Sequence, residues 1–281
     1  MTSRLAPDPG EGYAPATMER YGGNLIHSSR DDFGPLEIVE AERVRSLHFG
    51  TPSRQSALLL PRPDALILTY TQSMMAALLM HSAPASVLLI GLGGGSFARF
   101  LLQHYPDCRI DAVELRPRVV ELAHGYFRVP ENDPRLNIII SEGGRFLAHG
   151  AVKYSEYDLI LVDAFHGTGM ASQVGETQFF SSARSRLAEH GVLAANLWAN
   201  PQAMLHQTLR AINDAFSEHT LRLPVAVRGN LVALASNQPI PADYGESWAL
   251  RACALERFLN LDFPDFLERL QQANAPPRRA Q

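Results

Sequence analysis

Three acids of this chain stand at one kind of place. Glu114 ends the apolar run 110–113, Glu142 follows the run in NIIISEGGRFL, and Asp163 closes YDLILVD. Upstream of all three, the run 87–90 gives way to Gly91-Leu92-Gly93-Gly94-Gly95 and then to a helical pattern. Glycine lets a backbone turn sharply and meet a ligand with no Cβ between them. An acid at the tip of the next strand can accept hydrogen bonds from both hydroxyls of a ribose. Gly91, Gly93, Gly95 and Glu114 therefore read as a nucleoside site. A carboxylate at Glu142 can accept the exocyclic amine of an adenine, with the Gly143 N–H beside it. Asp163 falls at the carboxyl edge of a sheet, where ligands of open α/β folds bind. Acids ringed round a glycine turn suit a ligand with a ribose, an adenine and a cationic centre, and would repel the pyrophosphate of NAD. S-adenosylmethionine and its decarboxylated form fit that description. Each acid alone has a plainer reading, as a solvated strand end or a helix cap; the joint pattern carries the specificity.

The elements that must hold these residues follow from the periodicity. From 86 onward, strands expected at 87–91, 109–114, 136–141, 157–163 and 191–197 alternate with helices at 95–105, 116–127, 143–149, 176–189 and 200–216. Such alternation makes a mostly parallel, doubly wound sheet with helices on both faces. Strands near 219–223 and 227–236 can close it as a terminal hairpin, and 246–273 reads as helix. Ahead of it, residues 22–70 alternate short β-like runs (36–39, 44–49, 56–60, 65–70) with turn signals, a small antiparallel sheet. Residues 71–82 are helical in composition. The expected organisation is a flexible tail at 1–20, an N-terminal β domain at 21–72 and a nucleoside-binding catalytic domain at 73–275.

Composition narrows the function classes. The 281 residues are 46% hydrophobic and 19% charged, enough for a packed core. A net charge of −4 gives no electrostatic case for nucleic acid. No apolar stretch reaches the roughly 18 residues of a membrane span, and residues 1–20 lack the apolar core of a secretory signal. Cys108 and Cys253 have no metal or redox spacing, and the scattered histidines offer no ligand pattern. The chain reads as cytoplasmic, with no metal, no membrane and no nucleic acid.

The stretches IGLGGG (90–95), AVELRP (112–117), SEGGRFL (141–147), YDLILVDAF (157–165) and ETQFFSSARSRLAEHGVLAANL (176–197) resemble the spermidine synthase (polyamine aminopropyltransferase) family of the class I methyltransferase-like fold. The resemblance covers about residues 36–240. It implies an aminopropyl group moved from decarboxylated S-adenosylmethionine to a small-molecule amine. It also implies a homo-oligomer such as a dimer, a donor contact from Gln55 and an acceptor channel lined by Tyr70. A methyltransferase using intact S-adenosylmethionine, or a nucleoside-binding homologue without activity, remains open beside it.

The chain departs from the family at the acceptor side. The family's loop Asp-x-x-Asp-Pro-x-Gly-Pro reads here Asp163-Ala164-Phe165-His166-Gly167-Thr168-Gly169-Met170. His166 stands where the second Asp is expected to take a proton from the amine. The family's Tyr-x-Glu reads Tyr70-Thr71-Gln72. Each change removes a negative charge from a pocket meant for a polycation. His166 is open to two readings, a neutral imidazole acting as base or an exposed loop residue. Tyr70, Gln72 and His166 are the expected acceptor contacts, with Asp163 and His166 as the catalytic pair. The Gly, Ser and Thr of 164–175 suit a lid.

Overall fold

The computed structural model of the chain describes residues 21–150, 156–166, 169–170, 176–226, 229–241 and 245–275, with backbone alone at 165, 166, 169 and 170. The expected tail at 1–20 lies outside them.

Strands β1 (Asn24–Asp31), β2 (Gly34–Ala41), β3 (Val44–His48) and β4 (Arg54–Leu59) form a four-stranded antiparallel sheet in that order. The second sheet has seven strands: β5 (Ser86–Ile90), β6 (Arg109–Glu114), β7 (Leu136–Ile140), β8 (Tyr157–Val162), β11 (Leu187–Trp198), β12 (Thr220–Pro224) and β13 (Asn230–Ser236). Its order is β12-β13-β11-β8-β5-β6-β7, parallel from β11 to β7, with β13 antiparallel to both β11 and β12. Between β8 and β11 lies a short ribbon, β9 (Phe165–His166) against β10 (Gly169–Met170).

The helices are α1 (Thr69–Met74), α2 (Ser96–His104), α3 (Pro117–Phe127), α4 (Gly143–His149), α5 (Thr177–Arg184), α6 (Gln202–Ala215), α7 (Gly245–Leu259) and α8 (Phe263–Ala273). The uninterrupted apolar runs of the central strands follow from helices covering both faces. Side chains of a strand alternate sides. Thus Val87 and Leu89 enter one core, with Leu159 and Leu161, while Leu88 and Ile90 enter the other, with Ile160 and Val162.

The small sheet is seated on the large one. Leu36, Ile38, Leu47 and Leu58 pack against Val119, Leu122 and Phe127 of α3. At its far end Arg116 holds Asp31 through two bonds, Nε to Oδ2 at 3.0 Å and Nη2 to Oδ1 at 2.7 Å, and donates to the Gly34 carbonyl at 3.0 Å. The guanidinium lies 4.6 Å from the Phe49 ring centroid. Burial alone would raise the Asp31 pKa, but its hydrogen bonds to Arg116 and the Phe33 N–H bring it below the usual value. These contacts set β4 over the carboxyl edge of the parallel strands.

The structure corrects four expectations. Residues 65–70 are not a strand: Leu68 is extended, and α1 starts at Thr69. The turn continues as a tighter 3-10 segment, Met75–Leu79, whose residues are fully buried. β1 was not expected, because its alternating exposure is carried by His, Ser and Arg rather than by an apolar run. The helix expected at 176–189 stops at Arg184, and β11 starts at Leu187, its pairing with β8 shifting register before Val192. The helix expected over 246–273 is two: Asn260 takes φ 54°, and Asp262 caps α8 by accepting from the Asp265 N–H at 3.0 Å.

Candidate functional site

β5 ends in a turn that only glycine suits. Gly91 has φ +98°, and a Cβ there would lie 2.3 Å from the Asp163 carbonyl oxygen. That contact brings the tips of β5 and β8 together, helped by Asp163 N–H to Ile90 O at 2.9 Å, while Gly91 N–H to Val113 O at 2.8 Å ties the same turn to β6. Gly95 has φ +71°, opens α2, and faces Val129.

Glu114, at the tip of β6, is 8% exposed, and its carboxylate holds the turn. Oε2 accepts from Leu92 N–H at 3.0 Å and Gly93 N–H at 3.2 Å, and Oε1 accepts from Arg116 N–H at 3.0 Å. A carboxylate offers about four lone-pair sites, so these bonds leave capacity for ribose hydroxyls. Glu142 caps α4, accepting from Gly144 N–H at 2.9 Å and Arg145 N–H at 2.7 Å. The cap reading is therefore realised, and Glu142 lines the same cleft as Glu114.

Asp163 sits at the centre of a polar chain that joins four elements. Asn196 Nδ2 of β11 donates to its Oδ1 at 3.0 Å, and Tyr70 Oη of α1 donates to its Oδ2 at 3.1 Å. Behind Asn196, Asn230 Nδ2 of β13 donates to Asn196 Oδ1 at 2.9 Å. Tyr70 Oη also reaches the Gln55 carbonyl of β4 at 3.3 Å. Dense packing about the half-buried carboxylate pushes its pKa up to about 6, against the two hydrogen bonds, which pull it down.

The cleft has an empty volume of about 1310 Å³, counted out to solvent. Gln55, Tyr70, Gly91, Gly93, Glu114, Glu142, Gly143 and Asp163 all line it. Two expected site residues stand apart from the lining. Gln72 turns its Nε2 to the Leu66 carbonyl at 2.7 Å, and Gly95 is spent on the start of α2. His166 lies in β9, paired with Gly169, and its side chain is outside the described residues, as is most of the expected lid at 164–175. Asn196, Asn230, Arg54 and Trp198 also belong to the lining and were not singled out in the sequence. Asn196 had a signal, an amide inside the apolar strand LAANLW. Among the described residues no group of three or more His, Cys, Asp or Glu is arranged to hold a metal ion, and no helix is long and apolar enough to cross a membrane.

A parallel sheet closed by an antiparallel hairpin, with a glycine turn and strand-tip acids on its carboxyl edge, defines a methyltransferase-type, Rossmann-like nucleoside-binding fold. The spermine/spermidine synthase domain model matches residues 68–228. The polyamine aminopropyltransferase of Chromobacterium violaceum is 34% identical over 239 residues, 85% of this chain and 90% of that one. The chain belongs to the spermine/spermidine synthase family. Two solved structures share its fold: a probable spermidine synthase from Corynebacterium glutamicum, and a spermidine synthase bound to the transition-state analogue AdoDATO. For the first the TM-score is 0.66, at 20% identity over 92% of this chain and 97% of the other. For the second it is 0.61, at 22% identity over 77% and 75%.

Proposed function

We propose that this chain is an aminopropyltransferase of polyamine biosynthesis, moving an aminopropyl group from decarboxylated S-adenosylmethionine to an amine acceptor. The observation that carries the reading is Asp163, held by Tyr70 and Asn196 in one cleft with Glu114 and Glu142. Glu114, with Gly91 and Gly93, serves the ribose; Glu142 and Gly143 serve the adenine; Gln55 serves the donor's tail.

The chemistry asks for placement and one proton acceptor. The amine nitrogen attacks the propyl carbon bonded to sulfur, a C–N bond forms, and the C–S bond breaks with its electron pair left on sulfur. A positive sulfonium thus becomes a neutral thioether, methylthioadenosine. The nitrogen sheds a proton, and Asp163 takes it. A carboxylate with a pKa near 6 is a stronger base than a solvated one and is still ionised at pH 7 and above. Its negative charge also favours a cationic donor at the turn beside it. Tyr70 keeps Asp163 oriented and lines the acceptor channel, and His166 is the other candidate for the proton acceptor. The enzyme works in the cytoplasm, as a homo-oligomer.

One observation favours a second reading. Arg54 lines the cleft, and a guanidinium there suits the carboxylate of intact S-adenosylmethionine, the donor of a methyltransferase. Calorimetry with both donors separates the two. Tighter binding of the decarboxylated form supports aminopropyl transfer; binding of intact S-adenosylmethionine alone overturns it.

A further inference from the structure

Asp163 is held from two sides by unlike partners. Tyr70 Oη donates to Oδ2 at 3.1 Å, and Asn196 Nδ2 donates to Oδ1 at 3.0 Å. A hydroxyl can donate or accept, but an amide presents either an N–H or an oxygen, according to which way it is turned. A carboxylate only accepts, so Asn196 must turn its Nδ2 toward Asp163. Its Oδ1 then points the other way, to Asn230 Nδ2 at 2.9 Å. Asn196 is 3% exposed, so a wrongly turned amide would set oxygen against oxygen with little water to intervene.

The register of two strands makes this chain. Asn196 pairs with Val232, and Trp198 with Asn230, across the antiparallel ladder of β11 and β13. Residues two apart on a strand share a face, so Asn230 is the diagonal neighbour of Asn196 on the face that lines the cleft. β5 meets Asp163 with the Gly91 backbone, and β4 meets Tyr70 with the Gln55 carbonyl. Besides Asp163 and Tyr70, the ionisable groups of the lining are Glu114, Glu142, Arg54 and Arg116. His166 follows three residues on, its ring outside the described residues.

We infer that Asn230 is a positioning residue for Asp163: it fixes the turn of the Asn196 amide, which keeps an N–H on Oδ1 and leaves Oδ2 to take the proton. This rests on the reading of Asp163 as the base. Oδ2 suits that task, because Tyr70 Oη can change from donor to acceptor by turning its own proton to the Gln55 carbonyl, 3.3 Å away. Asn196 could serve a proton on Oδ1 only by flipping its amide. The flip would bring its N–H groups against Asn230 Nδ2, so Asn230 would have to flip as well. A donor on the charged form of a carboxylate lowers its affinity for a proton. With the Asn230 side chain removed, the Asn196 amide can turn either way, and Asp163 binds its proton more tightly.

The test reads Asp163 directly, by the NMR titration of its carboxyl carbon in the aspartate-labelled protein, assigned by its loss in Asp163→Asn. Asn230→Ala should move that titration up by about half a pH unit. Asn230→Asp has the same shape but only accepts, so it draws the Asn196 N–H away from Asp163 and adds a like charge. It should move the titration up by at least about one pH unit. With Asn196→Ala already in place, Asn230→Ala should move it no further. The acid limb of kcat/KM for methylthioadenosine release should shift in the same order. A titration unmoved in either Asn230 variant overturns the inference. So does an equal movement with Asn196→Ala in place, since Asn230 would then act without Asn196. An acid limb that stays put while the titration moves overturns Asp163 as the base, and with it the part of Asn230 in the reaction. No methylthioadenosine at all overturns the aminopropyl reading, and the titration still decides the hold of Asn230 on Asp163.

Discussion

Asp163→Asn should stabilise the protein while stopping its chemistry. In the fold the carboxyl has a pKa of about 6, against 3.8 as the ordinary value, because burial penalises the charge. Each pKa step is roughly 1.4 kcal/mol, so holding the ionised group folded costs on the order of 3 kcal/mol, less what the open cleft screens, leaving about 2 kcal/mol. The sign follows from linkage. Above about pH 6 the folded carboxyl is charged and the full penalty applies. Between about 6 and 3.8 the folded state binds a proton that the unfolded state does not, and the penalty shrinks. Below both values it vanishes. Asparagine keeps the shape: its Oδ1 accepts from Asn196, and its amide donates to Tyr70 Oη, whose proton turns to the Gln55 carbonyl. Melting curves of both proteins from pH 4 to pH 8 should show the variant higher by roughly 4–8 °C at pH 8, with the gap closing toward pH 4. A variant that melts lower at pH 8, or a gap independent of pH, refutes the burial argument.

Four further outcomes follow. The acid limb of kcat/KM should fall tenfold per pH unit below about 6, as Asp163 takes up its proton, and a limb near 4 would remove it as the base. Glu114→Gln should weaken donor binding at least about tenfold by calorimetry, since an amide presents one acceptor where two oxygens now hold Leu92, Gly93 and Arg116 N–H groups. Gly91→Ala meets both a left-handed φ and a carbonyl 2.3 Å from the new Cβ; a loss above about 3 kcal/mol in urea melts is expected. Tyr157→Phe removes the 2.7 Å donor to the fully buried Asp111, leaving the Asn137 bond at 2.7 Å; stability should drop by roughly 1–3 kcal/mol with donor affinity unchanged.

The parallel core was legible because β5 and β8 carry unbroken apolar runs on both faces, the first bounded by Gly91 and the second by Asp163. The glycine turn and the strand-tip acids came with it, since a residue at the end of a parallel strand must lie on the carboxyl edge. What was hidden depends on contacts between distant segments. Asn196 and Tyr70 meet across 126 positions of sequence only because β11 and α1 flank Asp163. Gln72, expected in the pocket from the family's Tyr-x-Glu pattern, faces the Leu66 carbonyl, because residues two apart on a helix do not share a side. Arg116, four residues from Ala112 in the plainest part of the motif, proved to be the clamp on the small sheet, which nothing local to it announced. β1 lacked an apolar period, and 65–70 had one that two kinds of element share.

Product analysis tests the central claim most directly. The protein is given decarboxylated and intact S-adenosylmethionine together with 1,4-diaminobutane, and the nucleoside released is identified by mass. Transfer of an aminopropyl group predicts methylthioadenosine in step with an amine heavier by one aminopropyl unit. Release of S-adenosylhomocysteine with a methylated amine, and no methylthioadenosine, would contradict it.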